Sequence, residues 1–326
     1  MRILRTIFGI PCLALAVSGI FSSPMRLEAK ETTKLKDAEI LGTVTVGKNP
    51  VRILFDGTHI WVTNVNSDTV TKLRASDGVT LGTFKVSPGP IDMAFDGANI
   101  WITNGGSGKI TKLRANDGAI LGTFEAGNFP FAIAFDGTDV WVTNQSGNTV
   151  MKFRTSDGTK LGTFDVGTSP RDMIFDGQNI WVVNSSSNDV TKLRASDGAA
   201  LGTFRVGFGP RGIAFDGENI WTANFNSANV TKLRASDGAK LGTYRVGDNP
   251  RGIIFDGKYM WVANYSSNTV MKLDINDGSV LSTFDTGTGP IGIAFDGTYL
   301  WVANYLSNTM MKTKRNEPDL ILKGNE

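Results

Sequence analysis

Apolar and polar positions along this chain fall into short, regularly interrupted runs. From Arg211 onward, "RGIAF" is an apolar run stopped by the polar "DGEN", and "IWTAN" follows. A polar "FNSA" loop then leads to "NVTKLRA", and a second Asp-Gly turn leads to a run of the "LGTFRV" kind. Runs this short, rich in β-branched and aromatic residues and bounded by turn formers, read as β-strands. Asp-Gly accommodates the positive φ of tight hairpin turns, so neighbouring runs are expected to pair antiparallel. The pattern gives four strands in 40 residues and no helical periodicity.

The pattern then repeats. Trp occurs at 61, 101, 141, 181, 221, 261 and 301, and nowhere else. "FDG" keeps the same step of 40 from Phe55 to Phe295, with a proline five residues ahead of each copy (Pro50 to Pro290). "LGT" or "LST" begins at 41, 81, 121, 161, 201, 241 and 281. A fixed period of this length signals a repeat architecture, and four-stranded antiparallel units of this size are β-propeller blades. The first "LGT" strand (Ile40 to Val46) precedes the first full unit, while the seventh unit stops after its third strand near Arg315. Pairing the two closes a ring and hides an open sheet edge. The expected fold is all-β: a seven-bladed propeller whose N-terminal strand completes the last blade.

The motifs "IWVTN", "MWVANYSSNTV" and "GxxPxxIxFDG" resemble YVTN-type repeats, close to the NHL-repeat and virginiamycin B lyase propellers. The resemblance covers roughly residues 38–315. It implies the propeller fold. For activity it points several ways, because the class contains enzymes, binding modules and envelope proteins.

Composition adds boundaries. "IFGIPCLALAVSGIF" (Ile7 to Phe21), behind Arg2 and Arg5, reads as the apolar core of an export signal, too short and too interrupted for a membrane span. The expected layout is a signal peptide over 1–29, a linker over 30–37, the propeller over 38–316 and a tail over 317–326. The only cysteine, Cys12, lies in the signal, so an exported chain relies on packing and not on disulfides. The location expected is extracytoplasmic: periplasm, cell envelope or secreted. The net charge is +2, and the first 36 residues hold six of the 33 Lys/Arg and two of the 31 Asp/Glu. The remainder is therefore close to neutral, and nucleic acid is not an expected partner.

Positions that hardly vary between units serve shared geometry. The Trp and Phe rings are expected between neighbouring blades, and the "FDG" aspartates in turns rather than around a metal. The Asn ending each second strand is expected to bond the loop backbone. Lys72 and its equivalents, with Arg74, Arg114, Arg154, Arg194 and Arg234, are expected as solvated or paired outer residues, the "SDG" aspartates being within reach. Positions that break the symmetry carry more information. Just after the proline the units read Val51, Ile91, Phe131, Arg171, Arg211, Arg251 and Ile291. Just after the Asn they read Val65, Gly105, Gln145, Ser185, Phe225, Tyr265 and Tyr305. Strand alternation puts both places on one face, near the channel mouth. Arg171, Arg211, Arg251, Phe225, Tyr265 and Tyr305 thus form a candidate ligand site. Guanidinium groups fork onto carboxylate or phosphate while rings stack, which suits an anionic or carbohydrate-like ligand. The bland alternative pairs these arginines with acids such as Asp172 or Asp248.

Enzymes of the virginiamycin B lyase kind rely on His and Glu around a metal. The single histidine here, His59, stands where other units have Asn, Asp or Tyr, so it reads as a turn residue and no two-histidine metal set exists. No catalytic residue, metal or cofactor is assigned. The function expected is an exported, monomeric binding or scaffold module for a protein, anionic or carbohydrate partner. The alternative is a lyase or hydrolase with a carboxylate-based site in the channel, for which Asp92 and Asp172 would be the candidates.

Overall fold

The computed structural model describes residues 40–314. The signal, the linker and the tail expected from the sequence lie outside the described residues, as do positions 38–39 and 315–316 of the expected propeller segment. Four strands make the first blade: β2 (Pro50–Phe55), β3 (His59–Asn64), β4 (Thr69–Arg74) and β5 (Thr80–Lys85). They pair antiparallel in that order, and five further sheets repeat the arrangement. The seventh sheet contains β26 (Pro290–Phe295), β27 (Tyr299–Asn304) and β28 (Thr309–Lys314), and its outer strand is β1 (Ile40–Thr45). Thr43 pairs with Met311 and Val44 with Met310, so the two ends of the described chain close the ring. The fold is the seven-bladed β-propeller that the period announces. Its one helical piece among the described residues is the 3₁₀ turn Phe225–Ser227.

The core lies between blades. Each Trp packs against the next sheet: Trp221, for example, clusters with Val262 and Leu273. Trp301 clusters with Ile60, Val62 and Leu73, which carries the same packing across the closure. Six of the seven indoles are among the largest fully buried side chains. Each indole N–H donates to the carboxylate of its own "FDG" aspartate, as from Trp221 to Asp216 Oδ2 at 2.7 Å. The other carboxylate oxygen accepts main-chain N–H groups of the turn, here those of Glu218 and Asn219. The aspartates therefore hold Trp and turn together. Only the glycine of each Asp-Gly pair takes a positive φ, +98° at Gly217 and +75° at Gly238. The aspartate contributes its side chain instead.

Two expectations for scaffold residues are corrected. Lys72 and its equivalents are not a solvated outer set: Lys72 is 6% exposed, lies over the Trp61 ring, and donates to the Ala115 carbonyl of the next blade at 2.8 Å. A stem packed on indole with its ammonium on carbonyls is a tie between blades. The arginines do pair as expected, Arg74 with Asp77 at 2.8 Å being one of five such pairs. The Asn ending each second strand mostly serves threonine hydroxyls of its own blade rather than the loop backbone. Asn64 Nδ2 donates to Thr71 Oγ1 at 2.9 Å, and Asn224 does the same to Thr231.

Candidate functional site

The loops after the second strands and the connections between blades do share one face. Val65 N–H donates to the Asn49 carbonyl and Phe225 N–H to that of Gly209, at 3.2 and 3.1 Å, zipping the two loop sets together. Residues just inside these loops start the innermost strands and face the central channel.

Immediately below the mouth, the second places after the proline read Arg52, Asp92, Ala132, Asp172, Gly212, Gly252 and Gly292. Arg52 reaches across the channel to two acids at once. Its Nε donates to Asp92 Oδ1 at 2.7 Å, its Nη2 to Asp92 Oδ2 at 3.1 Å, and Nη2 also meets Asp172 Oδ1. Both aspartates are nearly buried, at 4% and 5% exposure. Burial raises the Asp172 carboxyl, neighbouring Asp92 raises it further, and Arg52 only partly offsets this; the result is a pKa of about 6. The Arg52 charge is held firmly, because its two acid partners outweigh its own desolvation. Asp92 and Asp172 do come together, which their separation in sequence does not reveal. They meet as two sides of a cross-channel ion cluster centred on the Arg52 guanidinium.

Above this cluster sit the three arginines. Neither Asp172 nor Asp248 pairs with them, since Asp172 serves Arg52, and no ion pair involving Arg171, Arg211 or Arg251 occurs among the described residues. Arg211 lies over Phe225, its Cζ 3.6 Å from the ring centroid, and its Nε is buried without a hydrogen-bond partner. Arg251 lies 5.6 Å from the Tyr265 centroid. Arg171 lies over Phe131 at 5.0 Å, with the Gln145 side-chain oxygen within 3.0 Å of its Nη2 in the orientation that satisfies both groups. Phe225 and Tyr265 rings are 6.4 Å apart. Tyr305 is close enough to Arg251 to act on its charge.

The three guanidinium groups act on one another. Desolvation lowers Arg251 to about 9, with repulsion from Arg211 and Arg171 adding to it. Desolvation and Arg171 lower Arg211 to about 10, and desolvation lowers Arg171. Each side chain still touches solvent, yet each carries its charge at a cost. The glycines below contribute to the crowding. A Cβ at Gly212 would run into the Arg251 carbonyl, so the strands carrying Arg211 and Arg251 meet backbone to backbone. A narrow recess of about 30 Å³ opens here, lined by Arg211, Arg251, Arg52, Asp92 and the apolar side chains of Val51, Ile91, Phe131 and Ile291. On the opposite face a wider hollow lies between the third and fourth blades, but Lys152 there is paired with Asp136 and Asp139 at 3.2 Å each. His59 stays in its turn, with Nδ1 3.3 Å from Asp56 Oδ2.

A family model described as outer membrane protein assembly factor BamB matches residues 54–284. The chain belongs to that family. No curated protein matches it. Among solved structures it is similar to hydrazine synthase of Kuenenia stuttgartiensis, at 19% identity and a TM-score of 0.75 over 85% of this chain and 99% of the other. It is similar too to a catalytically inactive virginiamycin B lyase from Staphylococcus aureus, crystallised with quinupristin, at 18% identity and 0.74 over 84% and 99%. A streptogramin B lyase structure matches at 20% identity and 0.72 over 84% and 97%. These likenesses establish the fold alone. The family found is BamB-like.

Proposed function

We propose that this protein is an envelope-associated binding module that takes an anionic group on its loop face, at Arg171, Arg211 and Arg251. The observation that carries this reading is three guanidinium groups on consecutive blades with no carboxylate opposite them. Proteins seldom gather buried like charges without a counter-charge. Here the partner acids that the scaffold could supply are engaged by Arg52. An incoming carboxylate or phosphate would supply two-pronged hydrogen bonds and relieve the repulsion together. Phe225, Tyr265 and Tyr305 support the reading as rigid, partly apolar surfaces beside the charge. Membership of the BamB-like family supports an envelope setting and a protein as the source of the anion. The YVTN-type pattern of the repeats and the export signal belong to the same proposal. The carboxylate-enzyme reading loses its footing, since both channel acids are committed to one guanidinium.

The test is calorimetric titration of the full chain with small anions at low and high salt. Binding that weakens with salt and disappears in the variant with Arg171, Arg211 and Arg251 all changed to Ala is the expected result. Equal binding by the variant would sink the assignment.

A further inference from the structure

The ring of side chains around the recess is divided. Going round in blade order, Ile291, Val51, Ile91 and Phe131 are apolar and contiguous, and Arg171, Arg211 and Arg251 are cationic and contiguous. The same seven positions of a near-perfect repeat therefore present one apolar arc facing one basic arc. Ile91 and Ile291 are packed at 7% exposure, while Val51 and Phe131 between and beside them stay partly exposed.

A second observation strengthens the apolar side. Every residue just before the blade prolines whose φ is positive is Asn, Gly or Ser, except Phe129, with φ of 57°. A bulky residue in the left-handed region costs about 1–2 kcal/mol, and such outliers gather where a site needs them. Phe129 is 40% exposed, stands 6.3 Å from Phe131, and approaches the same spot beside Gly105 as Ile91. Nothing in the turn itself asks for an aromatic ring there, because Asn49 and Gly89 fill the equivalent places.

We infer that the mouth of the recess binds a carboxylate attached to an apolar body, with the carboxylate on Arg211 and Arg251 and the body against Val51, Phe129 and Phe131. This rests on the anion-binding reading above and narrows it. An ion without an apolar part would leave Val51, Phe129 and Phe131 uncovered, and a neutral apolar group would leave the guanidinium groups unpaired. The recess itself is only about 30 Å³, so the apolar body lies across its mouth rather than inside it. Two sources share this chemistry: the free C-terminus of a chain ending in an apolar residue, and a small aryl or alkyl acid.

Titrating the full chain with acetate, phosphate, 3-phenylpropionate and 3-phenylpropanol separates the possibilities. Phenylpropionate should bind about tenfold more tightly than acetate, the worth of burying part of a ring. Val51→Thr, which keeps the shape and removes apolar surface, should weaken phenylpropionate about threefold and leave acetate unchanged. If acetate, phosphate and phenylpropionate bind equally and all depend on the arginines, the apolar arc has no role and this inference fails while anion binding stands. If phenylpropanol binds as well as the acid, this inference fails, and anion binding stands only if acetate or phosphate binds through the arginines; if no anion binds, both readings fail. A pentapeptide ending in Phe, with its carboxylate free or amidated, then assigns the source. Tighter binding of the free-acid peptide than of phenylpropionate indicates a chain terminus. Binding of phenylpropionate with none of the peptide indicates a small acid.

Discussion

At the residue scale, Arg52 has the largest structural task of any single side chain in the channel. One guanidinium serves two nearly buried carboxylates contributed by other blades. Arg52→Ala would leave both without a counter-charge and should cost about 3–5 kcal/mol in urea unfolding. Adding Asp92→Asn and Asp172→Asn to that variant should restore most of the loss. A mild effect of Arg52→Ala alone would mean that the cluster is hydrated and loosely held. The same cluster sets a pH signature. Asp172 is raised to about 6 from an ordinary 3.8, so the folded state holds this proton more tightly, and stability should rise as pH falls between those values. Asp56, Asp96, Asp136 and Asp176 run the other way. Burial pushes their carboxyls up, but the Trp N–H and turn N–H groups outweigh it and leave them lowered. Their contribution is present above the ordinary value of 3.8 and is lost as pH falls below it. A stability maximum at about pH 4–5 is expected, and Asp172→Asn should flatten its upper flank. The sequence offered Asp92 and Asp172 as channel candidates but not the guanidinium that joins them. Arg52, Asp92 and Asp172 stand 40 and 120 residues apart, and only a closed ring brings the same register position of three blades to one point.

At the element scale, the repeat made almost everything readable. Strand order, the Asp-Gly turns and the closing strand all follow from a period of 40 with an offset start. What the pattern hid was the direction of side chains at blade contacts. Lys72 sits among polar threonines and looks solvent-facing, yet its long apolar stem is what lets it lie on Trp61 and reach the neighbouring turn. Lys312 makes that tie across the closure, to the Ala75 carbonyl at 2.8 Å. Closure therefore rests on this tie, on the Trp301 packing and on the β1–β28 ladder. Val44 packs in the closure cluster and pairs with Met310. Val44→Asp should destabilise the protein by about 2–4 kcal/mol through an unpaired charge at a packed site. Hydrogen exchange should localise the new openings to the seventh blade. Uniform loss of protection in all blades would instead mean that the ring opens only as a whole.

At the scale of the whole molecule, six sheets repeat one plan and the seventh completes it, so the framework is rigid and nearly symmetric. Function is expected where the copies differ, and the differences converge on one mouth of the channel. The candidate arginines and aromatics could be read from the aligned units, because strand alternation fixes which positions share a face. The apolar arc of Ile291, Val51, Ile91 and Phe131 was equally present in that alignment. It passes for ordinary core until the recess is seen beside it. The channel acids were misleading for the opposite reason: a pair of aspartates suggests chemistry until Arg52 is found between them.

The measurement that bears most directly on this account is thermal unfolding of the wild type and the Arg171→Ala, Arg211→Ala, Arg251→Ala variant, each with and without 3-phenylpropionate. Relief of like-charge crowding should make the unliganded variant more stable than the wild type by about 0.5–2 kcal/mol. Only the wild type should gain further stability from the acid. A variant less stable than the wild type, with no ligand shift in either, would make the three arginines structural and contradict the account.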